Sequence, residues 1–370
     1  MDMPNETTWK PDAHCLALDG VRGLAILSVT VYRLCKELDP DSNSLFAWIR
    51  SVAPMGERGV DLFFVLSGFL ITGILLRNRT KPNYFRNFIV RRSLRIFPLY
   101  FLSLFLGLLI LPQFIQSDSL ELARINQTYL WTYTSNLKMS WDNQWCFGAF
   151  DHFWSLCVEE HFYFVWPVVV LYLSNRSLAA FCIGLFFLTG CARTIAASGN
   201  GWDVAVSVAT FFRADSLSIG ALAAILLSSP INKIQLRRVS LVAMFALLPL
   251  LLAIAISGRR LLEIPNSLCP AFFAAGLMVI LLSKSNSLIV RCFESIWLRT
   301  LGKYSYGMYV VQLPLVSLLP LKLASQYLPG NIFLSGCVYI GMMFALILLV
   351  AIASYHLFER HFLSWKSRFS

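Results

Sequence analysis

Leu18-Asp19-Gly20-Val21-Arg22-Gly23-Leu24-Ala25-Ile26-Leu27-Ser28-Val29-Thr30-Val31-Tyr32-Arg33 opens the first long apolar run of the chain, yet it holds three charged side chains. An ionised group at the centre of a membrane helix costs at least about 2.5–3.5 kcal/mol. Charges in such a place point to a site. Asp19 and Arg22 stand i,i+3 apart and can pair as interfacial anchors. Arg33 lies 11 residues beyond Arg22 (33 − 22), which is about 16 Å further along a helix axis, so anchoring explains it less well.

Outward from this stretch, the composition fits one class of protein. Of 370 residues, 57% are hydrophobic and 14% charged, against about 25% charged in soluble domains. The apolar residues come in runs of about 16–25, long enough to cross about 30 Å of hydrocarbon. The short alternating segments of an outer-membrane barrel are absent. The expectation is an all-α polytopic membrane protein with ten spans, near 20–36, 59–76, 96–112, 152–173, 178–196, 204–228, 239–257, 267–283, 304–320 and 333–357. The polar segment 113–151 includes a Tyr- and Trp-rich piece, 128–141, read as lying at the membrane interface.

Ten spans put both termini on one side. Grouped that way, 19 of the 31 Lys and Arg fall on the terminal side, 9 (Arg193 among them) on the other, and Arg22, Arg33 and Arg213 within spans. This bias predicts cytoplasmic termini. It also accounts for the net charge of +11 through topology, with no call for nucleic acid. The nine cysteines show no CxxC and no metal-type spacing, so buried small hydrophobes are expected and no metal site. Cys146, in an expected external loop, has no obvious partner. The beginning, MDMPNETTWK, lacks the basic n-region of a cleaved signal. Residues 1–370 are therefore expected to form a single integral-membrane domain.

Five stretches place ionisable residues in or beside spans: Asp19/Arg22/Arg33, Asp61, Arg91/Arg92/Arg95, His152/Glu159/Glu160/His161 and Arg213/Asp215. Arg92 and Arg95 share a helix face and could clamp a phosphate, although positive-inside anchoring explains the cluster too. Glu159 and Glu160 project about 100° apart, so only one can face a given partner squarely. One could hold a buried pair with Arg22, Arg33 or Arg213, and the other could act as a general acid or base. Arg213 and Asp215, at i,i+2, do not face each other, and each is expected to pair with another span. Phosphate-loop, dinucleotide-binding, zinc-protease and GxSxG motifs are absent from the sequence.

In this order the stretches resemble the acyltransferase 3 family of integral-membrane acyltransferases. The resemblance is carried by Leu18–Arg33, residues 59–72 (GVDLFFVLSGFLIT), Arg91–Tyr100, His152–Pro167, Arg213–Ala224, Ser305–Pro314 and Phe358–Arg360. It implies a ten-helix fold in the bacterial inner membrane. It also implies transfer of an acyl group, often acetyl, from a cytoplasmic acyl-CoA to a hydroxyl of an envelope glycan or lipid. The histidine that closes the family's first motif is read as the catalytic base, and Arg33 stands there instead. Gln312 and His161 also replace the family's His and Gln. Arginine does not surrender its proton at physiological pH. The base is therefore expected among His152, Glu159, Glu160 and His161. Arg33 would stabilise an oxyanion, Arg22 and Asp19 would orient the thioester or hold the carboxylates, and Arg91, Arg92 and Arg95 would steer the acyl-CoA. A catalytically silent relative and a glycolipid or acyl-group transporter are the alternatives. The matched Gly/Pro interruptions of two halves that would favour a transporter are not found.

Overall fold

The computed structural model describes residues 15–38, 44–198, 202–257, 264–324 and 332–369. The described residues contain helices and turns and no β-strand. A helix satisfies every backbone polar group within its own segment, which hydrocarbon demands. Among the described residues, ten helices have 18 residues or more: α1 Leu16–Cys35, α2 Gly59–Asn78, α3 Tyr84–Leu104, α4 Trp154–Tyr172, α5 Asn175–Ser198, α6 Thr210–Ser228, α7 Lys233–Ser257, α8 Ile264–Leu281, α9 Ile296–Leu318 and α10 Ile332–Ser354. Each overlaps one of the ten apolar runs of the sequence. Six helical stretches, which include α2, α3, α5, α6, α7 and α10, are long and apolar enough to cross a membrane by length and composition. The other four are α1, α4 and α9, which carry interior charges, and the shorter apolar α8. The N-terminal residues 1–14, the loop arginines Arg259 and Arg260, and part of the 37–58 loop lie outside the described residues.

α1 runs along α9, and α2 runs along α6. Small residues permit both approaches. A Cβ on Gly68 would lie 2.0 Å from the Leu217 carbonyl oxygen, and one on Gly220 would lie 2.1 Å from that of Val65. Between α1 and α9, a Cβ on Gly302 would lie 1.9 Å from the Asp19 carbonyl oxygen. α2 and α6 are thereby central, whereas α7 presents most of its surface outward.

Two expectations change in detail. The apolar run places the third span from residue 96, but α3 already begins at Tyr84, so the basic cluster rides on the helix instead of preceding it. The interfacial piece is a packed cap of three short helices, Asp118–Ile125, Gln127–Trp131 and Ser135–Asp142. Its Tyr133 stacks on Tyr100 of α3 with ring centroids 4.0 Å apart, and the Tyr100 hydroxyl donates to the Leu130 carbonyl at 2.6 Å. Tyr133 holds a left-handed backbone (φ 54°), unusual for a bulky residue.

Candidate active site

Ser155, Glu159 and Tyr163 recur every four residues on α4 and so share one face. That face meets Ser67 of α2, Arg22 of α1, Arg92 and Arg95 of α3, and Tyr306 and Tyr309 of α9 around a cavity of about 100 Å³. Ser67 Oγ donates to Glu159 Oε1 at 2.8 Å, and the Tyr163 hydroxyl donates to Oε2 at 2.6 Å. The Arg92 guanidinium lies 5.5 Å from the Tyr163 ring centroid. The result is a carboxylate with both oxygens engaged, facing an apolar-walled cavity that holds three guanidinium groups.

Glu160 is turned from this cavity, and its buried Oε1 has no hydrogen-bond partner. Adjacent glutamates on a helix must diverge in this way. Neither glutamate takes the arginine partner considered for it within salt-bridge distance among the described residues. His161 is a tie between elements: Nδ1 is 2.8 Å from Thr210 Oγ1 and Nε2 is 3.1 Å from the Tyr133 carbonyl oxygen. Nε2 faces an acceptor and so carries the proton, leaving Nδ1 to accept from the threonine.

Beside the cavity opens a wider vestibule of about 440 Å³, lined by Asp19, Arg22, Arg95, Arg299, Lys303, Tyr306, Tyr355, Glu359 and Lys366 among others. Arg22, Arg95 and Tyr306 line both spaces, so the two adjoin. Asp19 and Arg22 pair at 3.4 Å, as their spacing suggests. The start of α1, the basic part of α3 and the last turns of the chain thus meet at one end of the bundle. Arg91 parts from its neighbours and lines a separate crevice that includes Tyr84 and Phe369. Arg79 donates to the Val170, Leu171 and Leu173 carbonyls and caps the end of α4.

At the far end stand Arg33 and His152. His152 is fully buried, with Nε2 3.3 Å from the Val310 carbonyl oxygen and Nδ1 unpartnered. Arg33 lies against Tyr32, with its Nε also unpartnered. Gln312 accepts from Thr30 at 3.3 Å and keeps a free amide nitrogen. None of these three lines the cavity. The link is Tyr309, which lines it and donates to the His152 carbonyl at 2.9 Å, with Ser155 Oγ 2.5 Å from its hydroxyl. Nearby, burial pushes the Asp151 carboxyl up to about 6, opposed by the Phe147 amide and by Arg33 and Lys36.

Asp61 and Asp215 each pair with an arginine of another helix, and Asp61 also pairs locally with Arg58, three residues earlier. Arg213 Nη1 is 3.0 Å from Asp61 Oδ1, Arg58 is 3.4 Å from Asp61 Oδ2, and Arg193 Nη1 is 2.7 Å from Asp215 Oδ2. Arg213 and Asp215 do find partners on other helices, as expected. Arg193, grouped by its sequence position with external loop residues, is instead 1% exposed on α5. Its place inside the fifth apolar run was the available signal. Tyr306, Tyr309, Arg299, Lys303 and Lys366 also escaped sequence reading, because no local pattern brings α9 and the C-terminal turns to α1 and α3. All nine cysteines are free, Cys146 included. No cluster of three or more metal-ligating side chains occurs among the described residues.

A profile of the acyltransferase domain of the acyltransferase 3 family matches residues 16–356. A peptidoglycan O-acetyltransferase of Listeria monocytogenes is 28% identical over 321 residues, covering 82% of this chain and 49% of that protein. A putative peptidoglycan O-acetyltransferase of Bacillus subtilis is 29% identical over 334 residues, 81% of this chain and 48% of the relative. A putative O-acetyltransferase of Staphylococcus aureus is 30% identical over 190 residues, 49% of this chain and 29% of the relative. The chain spans about half the length of the first two of these curated relatives. No solved structure matches. With the profile running from the first helix into the turns after α10, the chain belongs to the acyltransferase 3 family of membrane proteins.

Proposed function

We propose that the protein is a multi-pass inner-membrane acyltransferase whose ten long helices all cross the bilayer, with the vestibule end in the cytoplasm. It moves an acyl group, in the first instance acetyl, from acyl-CoA to a hydroxyl of an envelope glycan. Peptidoglycan, the acceptor named for two relatives, is the leading candidate. The observation that carries this reading is Glu159 set in a cavity with Arg22, Arg92 and Arg95 that adjoins a basic vestibule. In the reaction, the acceptor hydroxyl gives its proton to Glu159 as its oxygen bonds to the thioester carbonyl carbon. Arginine donors in the cavity stabilise the oxyanion of the tetrahedral intermediate. The C–S bond then breaks, and the departing thiolate takes the proton back from Glu159.

Coenzyme A release from acetyl-CoA by reconstituted protein, with peptidoglycan fragments as acceptor, tests this. Wild-type release that falls by about 10²–10⁴ in Glu159→Gln supports it. A second reading, a catalytically silent relative, draws on the absence of any histidine from the cavity lining. A silent wild type beside an active Arg33→His variant would establish that reading and overturn ours.

A further inference from the structure

The vestibule carries more positive charge than transfer chemistry at Glu159 requires. Arg22, Arg95, Arg299, Lys303 and Lys366 line it, against Asp19 and Glu359. Arg299 and Lys303 stand i,i+4 on α9 and so present their charges from one face. Lys366 comes from the 3₁₀ segment Trp365–Phe369 that ends the described chain, and that segment packs against α3, with Arg86 5.7 Å from the Phe369 ring centroid. Arg299 Nε is buried without a hydrogen-bond partner. Tyr306 and Tyr355 add aromatic faces to the same wall. Lys303 Nζ rides 4.9 Å from the Tyr355 ring centroid.

From this juxtaposition of three extra cations, an unspent guanidinium donor and two tyrosines in about 440 Å³, we infer a nucleotide subsite. Resting on the reading of the donor as an acyl-CoA, Arg299, Lys303 and Lys366 bind the 3′-phosphoadenosine end of the donor. A phosphomonoester next to a ribose needs clustered point charges and a guanidinium fork, and an adenine needs a ring to lie against. The pantetheine arm then passes the shared Arg22, Arg95 and Tyr306 into the cavity. The consequence is selectivity: the protein accepts thioesters of coenzyme A and discriminates against thioesters of a bare phosphopantetheine arm. The C-terminal turns form one wall of this subsite.

The test uses the full chain in phosphatidylcholine nanodiscs with adenosine 3′,5′-bisphosphate as probe. The bisphosphate should bind at least about tenfold more tightly than adenosine 5′-monophosphate, a difference of about 1.4 kcal/mol. Arg299→Gln, Lys303→Gln and Lys366→Gln should each narrow that gap. In turnover they should raise KM for acetyl-CoA with kcat and the KM for acetylpantetheine unchanged. Dephospho-acetyl-CoA, used with wild-type protein, should show the same rise in KM without any substitution. Equal affinity for the two nucleotides overturns the inference. So does loss of bisphosphate binding when phosphatidylglycerol replaces phosphatidylcholine, which would assign the cations to a lipid headgroup. Bisphosphate binding without coenzyme A release sinks the proposed transfer and leaves the subsite standing, whereas release with equal KM for acetyl-CoA and its dephospho form does the reverse.

Discussion

At the scale of single residues, the two adjacent glutamates divide sharply. Glu159 faces the cavity between Ser67 and Tyr163, and Glu160 faces away. The sequence shows that both cannot point one way, but which of them faces the cavity depends on Ser67 arriving from a helix about 90 residues earlier in the chain. Tyr163→Phe removes one hydrogen bond to Glu159 while keeping the ring under Arg92. Its expected effect is a fall in kcat of about tenfold, equivalent to about 1.4 kcal/mol, read from coenzyme A release with unchanged unfolding temperature. Asp151 gives a pH-dependent prediction. Its folded value of about 6 lies above the ordinary carboxyl value. The folded state therefore holds a proton that the unfolded chain has lost, and stability is greatest in acid and falls as pH rises through about 4 to 6. Asp151→Asn should flatten that part of the stability–pH curve while keeping an oxygen for the Phe147 amide. A curve of unchanged slope would remove Asp151 as its source.

At the scale of elements, the α2–α6 contact has two supports. One is the reciprocal approach of Gly68 and Gly220 to the opposing carbonyls. The other is the ion pair of Asp61 with Arg213. Gly68→Leu has no room, since backbone stands 2.0 Å from its first added atom, and the helices must separate. The measurable outcome is loss of folded protein in detergent, with Ala less damaging than Leu. Asp61→Asn leaves Arg213 without its charge partner in a buried place, a loss of about 3–5 kcal/mol. Asp61→Asn with Arg213→Gln should recover part of it, and strict additivity would mean that the pair is not coupled. The helices themselves were legible in the sequence, because apolar run length reports directly on span length. The start of α3 was not. Its first three turns are basic, and a hydropathy reading ends where the arginines begin, although they are good helix formers.

At the scale of the whole molecule, the charge bias predicts that the vestibule end faces the cytoplasm. Cys292, exposed in the short helix Leu288–Phe293 beside the start of α1, can report on it. With the other cysteines replaced, a membrane-impermeant maleimide should label Cys292 in inverted vesicles and spare it in intact cells. The reverse pattern would turn the molecule over. The order of helices and the family were readable from motifs, each of which is local. The vestibule was not, because it forms where α1, α3, α9 and the final turns converge, and convergence leaves no trace in any one segment. The same separation bears on how the chain is made. Asp61 is synthesised 152 residues ahead of Arg213, about 8–30 s at typical translation rates of about 5–20 residues per second. Through that interval α2 carries an acidic group near its start whose inter-helical partner has not yet been translated. Until α6 emerges, Arg58, three residues earlier, is the cation at hand for Asp61, so the ion pair that joins α2 to α6 closes only after α3, α4 and α5 have been made.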